Sequence, residues 1–183
     1  SIDRHAVHAL VAASGRKLWS FTAGGRVDSP PTVWQGGVLF GSADGYVYCL
    51  RADDGVLAWR FRAAPVDRRL MAFEQLESAW PVHGSVLVHD GIVHCVAGRS
   101  MFLDGGMRYL RLDAATGKVV SETVMDNVNP DTGQPLDADV KWPNLPVALP
   151  DILSCDGKSV YMRSQRFDLD GKRINVAAPS DYK

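Results

Sequence analysis

The sequence predicts an all-β chain built of four-stranded antiparallel meanders, and three observations carry that prediction. Between Ser29 and Arg62, four short apolar runs (Pro31–Gln35, Val38–Gly41, Tyr46–Arg51 and Val56–Phe61) are separated by Gly36-Gly37, Asp44-Gly45 and Asp53-Asp54-Gly55. Linkers of that chemistry supply the positive φ angles of tight hairpins. The pattern then recurs along the chain, as repeat architectures do. Finally, hairpins of two kinds alternate. A meander of this kind, its strands lettered a to d from the axis outward, is one blade of a β-propeller.

In chain order, His8–Phe21 (HALVAASGRKLWSF) aligns with Tyr48–Phe61 (YCLRADDGVLAWRF) at a constant offset of 40, placing Leu10, Ala12, Gly15, Trp19 and Phe21 on Leu50, Ala52, Gly55, Trp59 and Phe61. A third copy, Tyr109–Val124, follows at an offset of 62; Leu112, Ala114 and Gly117 keep register while Ser121 and Thr123 replace the Trp and Phe. These are c–d hairpins. The a–b hairpins are Val33–Gly41, Val86–Val96 and Leu153–Met162, turning at Gly36-Gly37, Asp90-Gly91 and Asp156-Gly157. The order c–d, a–b, c–d, a–b, c–d, a–b amounts to three blade equivalents with an unmatched half at each end. Propellers close with about 4–8 blades. Two chains, each completing the other's half blade, are therefore expected to form a six-bladed homodimer. The alternative is that the chain is a piece of a longer propeller.

Residues 1–180 read as one domain. The chain begins at Ser1 without Met, which suggests processing, and Asp181-Tyr182-Lys183 matches the start of an acidic epitope tag. A net charge of −1 gives no electrostatic footprint for nucleic acid, and no apolar run approaches the length of a membrane span. Cys49, Cys95 and Cys155 have no CxxC spacing and are odd in number, so they read as free thiols inside strands.

The Tyr48–Phe61 stretch and its copies resemble the PQQ-like β-propeller repeat: an apolar strand end, a short polar turn closing in Gly, then Leu-x-Trp. The resemblance implies the propeller fold, inter-blade packing for Trp19 and Trp59, and an extracytoplasmic setting. Members with quinone chemistry hold PQQ under a disulfide of adjacent cysteines, with Glu, Asn and Asp around calcium. This sequence has no adjacent cysteines, so the resemblance argues for the fold and against PQQ. It points instead to repeat proteins that bind partners or polysaccharide.

In a propeller the d-to-a and b-to-c connections share one face. The long ones here are Gly24–Pro30, Ala63–Gly84, Arg99–Gly106 and Asp126–Leu149, and long loops on a rigid scaffold carry binding residues. Within Ala63–Gly84, the spacing of Leu70, Phe73, Leu76 and Glu77 suggests two helical turns over Arg69–Ala79. Arg68, Arg69, Glu74, Glu77, Trp80 and His83 would form a polar rim. Asp126, Asp131, Asp137 and Asp139 offer oxygen ligands without EF-hand spacing. His5, His8, His89 and His94 read as structural or surface imidazoles.

His83 enters an inner strand from the long-loop face, and Asp28 and Asp151 precede inner strands in the same way. Two function classes follow. One is a binding or scaffold module whose long-loop face meets a protein, glycan or small ligand. The other is a metal-dependent hydrolase of esters or phosphotriesters. It would hold Zn or Mn on Asp28, His83, Asp151 and Glu77, with Arg26 or Arg68 as electrostatic stabiliser. No GxSxG elbow and no P-loop is present.

Overall fold

The computed structural model describes residues 4–72, 74–128, 132–135, 148–163 and 165–174. The regular elements of these residues are all strands: β1 (Ala6–Leu10), β2 (Lys17–Thr22), β3 (Thr32–Trp34), β4 (Gly37–Gly41), β5 (Tyr46–Arg51), β6 (Leu57–Arg62), β7 (Arg69–Ala72), β8 (Gln75–Ser78), β9 (Leu87–His89), β10 (Ile92–Ala97), β11 (Met107–Asp113), β12 (Val119–Met125), β13 (Leu153–Cys155), β14 (Ser159–Met162), β15 (Gln165–Asp168) and β16 (Arg173–Ile174). Among them, no helix is long and apolar enough to cross a membrane.

β3–β6, β9–β12 and β13–β16 are four-stranded antiparallel sheets in chain order, while β1–β2 and β7–β8 are two-stranded. The second a–b hairpin turns at Asp90-Gly91 as the sequence suggests, while the first turns one residue earlier than Gly36-Gly37, at Gln35-Gly36. Trp34 pairs with Gly37 and His89 with Ile92. The two residues between, Gln35-Gly36 and Asp90-Gly91, all have positive φ. That is the twist-matched turn of a tight hairpin. The c–d hairpins carry a shared irregularity: the register slips between Ala9 and Leu10, Cys49 and Leu50, and Arg111 and Leu112. These are equivalent repeat positions, so the bulge belongs to the repeat.

The sheets stack through three apolar layers. Val7, Phe40, Tyr48 and Leu50 join β1–β2 to the first complete blade. Leu39, Cys49, Val93 and Leu110 join the first blade to the second. Tyr109, Met125, Val160 and Phe167 join the second to the third. β3 lies against β9 and β9 against β13, which identifies the innermost strands. Polar side chains strap these strands together: Thr32 Oγ1 donates to the Val86 carbonyl, and the Leu153 amide donates to Ser85 Oγ at 2.9 Å.

The repeat tryptophans dock blade on blade. Trp19 Nε1 donates to the Ala52 carbonyl at 2.8 Å, and Trp59 Nε1 to that of Ala114 at 3.1 Å. Each ring lies flat on the turn glycine of the next blade: a Cβ on Gly55 would approach Trp19 to 2.6 Å, and one on Gly117 would approach Trp59 to 2.6 Å.

Two expectations are corrected. Arg69–Ala79 is not helical; β7 and β8 pair from Arg69↔Ser78 to Ala72↔Gln75. Glu74, at φ 61, sits in the reversal. Exposure alternates along β7, with Arg69 and Met71 outward and Leu70 and Ala72 less exposed, the period of a strand. The C-terminal a–b hairpin is not a half blade either. β15 and β16 complete its sheet, so the described residues form three complete blades plus the β1–β2 half. The homodimer built from complementary halves loses one of them, because the C-terminal sheet supplies its own c and d strands.

Candidate functional site

The long connections bring four of the expected residues into one ring. Arg26 and Asp28 lie between β2 and β3, Glu77 on β8, and His83 between β8 and β9. Arg26 Nε donates to Asp28 Oδ1 at 2.6 Å, and Arg26 Nη1 lies 2.6 Å from Glu77 Oε1. His83 Nδ1 is 2.5 Å from Asp28 Oδ2, and His83 Nε2 is 3.7 Å from Glu77 Oε2. The ring has a dry side and a wet side. The side chains of Glu77 and Arg26 are 2% and 9% exposed, whereas those of Asp28 and His83 are each 23% exposed.

The backbone around the ring is tightly fixed. Ser29 Oγ donates to the His83 carbonyl. The Val82 amide donates to the Ser42 carbonyl at 3.0 Å, and a Cβ on Gly41 would strike Val82 at 2.3 Å. The β7–β8 hairpin is anchored again by His5, whose Nε2 is 3.0 Å from Gln75 Oε1. Nothing in the residues near His5 signalled that contact, since the partners are 70 positions apart.

Chemically, the ring holds its carboxylates against a cation. One guanidinium bridges both of them, and His83 sits between the same two groups. Among the described residues no cluster of three or more His, Cys, Asp or Glu side chains is disposed to hold a metal ion. Asp151 does not join the ring: its main chain packs on Gly84, but its carboxylate pairs with Arg163. Arg68 is also elsewhere, paired with Asp104 and stacked over the Trp80 ring at 5.0 Å. Trp80 is buried rather than on a rim, while Arg69 and Glu74 are exposed. Asp126 caps its own turn, accepting from the Val128 amide at 3.0 Å. Asp131, Asp137 and Asp139 lie outside the described residues.

The PQQ-repeat family model described as outer membrane protein assembly factor BamB matches residues 2–127. The chain belongs to this PQQ-like propeller family. Among solved structures, the propeller fold is shared with the quinohemoprotein alcohol dehydrogenase ADHIIG of Pseudomonas putida HK5, at TM-score 0.54 and 22% identity over 65% of this chain and 18% of that one. The quinohemoprotein alcohol dehydrogenase of Comamonas testosteroni gives TM-score 0.52 at 21% identity, over 69% of this chain and 19% of that one. A europium-containing methanol dehydrogenase gives 0.51 at 17%, over 75% and 27%. This chain thus spans about a fifth of the length of either alcohol dehydrogenase. No curated protein matches it.

The chain does not itself furnish the adjacent cysteine pair of quinone-binding propellers. Cys49, Cys95 and Cys155 are free and stand on β5, β10 and β13, in three different sheets. Burial pushes the Cys95 thiol up to about 12, which makes it an inert core group.

Proposed function

We propose that this PQQ-like propeller chain acts as a binding and scaffold module, working outside the cytoplasm without PQQ, with its long-connection face as the contact surface. The observation that carries the reading is the Arg26–Asp28–Glu77–His83 ring. Arg26 already bridges both carboxylates, and Glu77, at 2% exposure, is sealed beneath it. Such a ring braces the β7–β8 hairpin on the blade edges and keeps the face in one shape. Rigid, elaborated loop faces favour recognition, because little ordering entropy is lost on contact. The family's name, outer membrane protein assembly factor, and the resemblance noted from the sequence favour an extracytoplasmic site of action.

The test is turnover against stability. Purified chain supplied with Zn²⁺ or Mn²⁺ is assayed on an aryl ester and an aryl phosphotriester, alongside His83→Ala. The expected result is no His83-dependent turnover and a lower melting temperature for the variant. Stoichiometric metal, with turnover lost in His83→Ala, would establish the hydrolase instead.

A further inference from the structure

A second polar surface takes no part in the ring. A cleft of about 400 Å³ opens beside the end of β2, between Gly24, Asp44, Tyr46, Tyr48, Arg60 and Arg69. Arg60 lies opposite Tyr48 on the neighbouring strand and stacks over the Tyr46 ring at 5.2 Å. It is exposed, and besides this stacking its charge acts on the Tyr48 hydroxyl. The next blade treats the equivalent positions, 62 residues on, differently. There Arg108 stands at the Tyr46 position and Glu122 at the Arg60 position, and the two form an ion pair, whereas in the first blade Arg60 stacks on a ring.

The rest of the cleft is built around that charge. Arg69 lines the cleft and holds Asp67 with its Nε at 3.1 Å. Asp44 forms the floor: it accepts from the Tyr48 hydroxyl at 2.5 Å and the Tyr46 amide at 3.0 Å. Gly24 keeps one wall bare, since a Cβ there would meet Asp44 Oδ2 at 2.5 Å. Asp67 answers the charge of Arg69, so Arg60, with no ion-pair partner among the described residues, is the cation the cleft offers. A guanidinium lying on an aromatic ring is fixed in plane and turns its N–H fork outward, the geometry that grips a carboxylate in bidentate fashion.

We infer that this cleft binds an acidic sugar: Arg60 and Arg69 take the carboxylate of a uronate unit, and its hydroxyls donate to Asp44. The inference rests on the reading of the long-connection face as a binding surface, and narrows it to one ligand class.

Calorimetric titration of the chain with trigalacturonate tests it, with maltotriose as the neutral probe and inorganic sulfate as the bare anion. Saturable binding of trigalacturonate is expected, weakened about tenfold or more by Arg60→Met and by Arg69→Met. Arg108→Met, at the position of the next blade that matches Tyr46, should leave it unchanged. Melting temperatures of all three variants separate lost binding from lost fold. No saturation to about 20 mM overturns the inference, as does equal binding of maltotriose, equal binding of sulfate, or affinity indifferent to Arg60. These outcomes are independent of the ester assays, so the cleft can fail while the binding module stands.

Discussion

His94 shows what one buried side chain does to the whole chain's pH response. It is 1% exposed, on β10, with Nδ1 2.7 Å from the Tyr109 hydroxyl, and Tyr109 stacks on Phe167 at 4.0 Å. Burial, then the charge of Arg111, then His89, push its pKa down from 6.5 to about 4. The unfolded imidazole therefore takes its proton near pH 6.5 and the folded one only near 4. Stability is full above the first value and falls as the pH drops towards the second, by about 3 kcal/mol in all. Denaturant unfolding at pH 7 and pH 4.5 should show the loss, and His94→Gln should remove most of it. An unchanged pH slope in the variant would contradict the assignment. Asp54, Asp113, Asp151 and Asp156 act in a separate, more acidic window, since hydrogen bonds hold each below the ordinary carboxylate range. A second residue-scale prediction concerns Gly117, at φ 69 with the Trp59 ring over it. Gly117→Ala combines a left-handed backbone with a clash, and should cost about 2 kcal/mol in chemical denaturation.

At the scale of elements, the tryptophans make the first two blade junctions readable, and their replacement hides the third. Where Trp59 meets Gly117, the corresponding Ser121 is too small to cover Gly171. Arg111 fills the space: its Cδ would lie 2.8 Å from a Cβ on Gly171, and Nη1 donates to the Asp170 carbonyl at 2.8 Å. The turn is also one residue shorter, closing from Asp168 to Lys172, where Arg51 closes on Val56. With neither the ring nor the spacing of the motif, β15–β16 gave no repeat signal. Arg111→Met should therefore loosen the third blade selectively, raising the rate of proteolytic cutting within 153–174. Cutting rates equal to the parent's would show that the arginine carries no docking role. The β7–β8 hairpin is hidden in the sequence for another reason. The apolar spacing of Leu70 and Leu76 fits a helix face as well as a strand, and only tertiary partners such as Arg26 and His5 decide between them.

For the molecule as a whole, the blade stack sets where the long connections emerge, and the sequence order of hairpins was enough to place Arg26, Asp28, Glu77 and His83 on one face. It could not show that one guanidinium would bridge both carboxylates, because Arg26 and Glu77 lie 51 residues apart, nor that Asp151 would turn to Arg163 across its own hairpin. The outcome is a face whose polar centre acts as a brace. Glu77, at 2% exposure, is shielded from solvent, and breaking one arm of a buried ion pair costs about 3 kcal/mol. Most of that cost should fall on the hairpin the ring holds down. Hydrogen exchange on Glu77→Gln and the parent chain measures this directly. Amides of residues 69–78 should lose protection in the variant while the sheets β3–β6 and β9–β12 keep theirs. Unchanged protection of the hairpin would contradict the bracing role and return the four side chains to candidacy as a reaction centre.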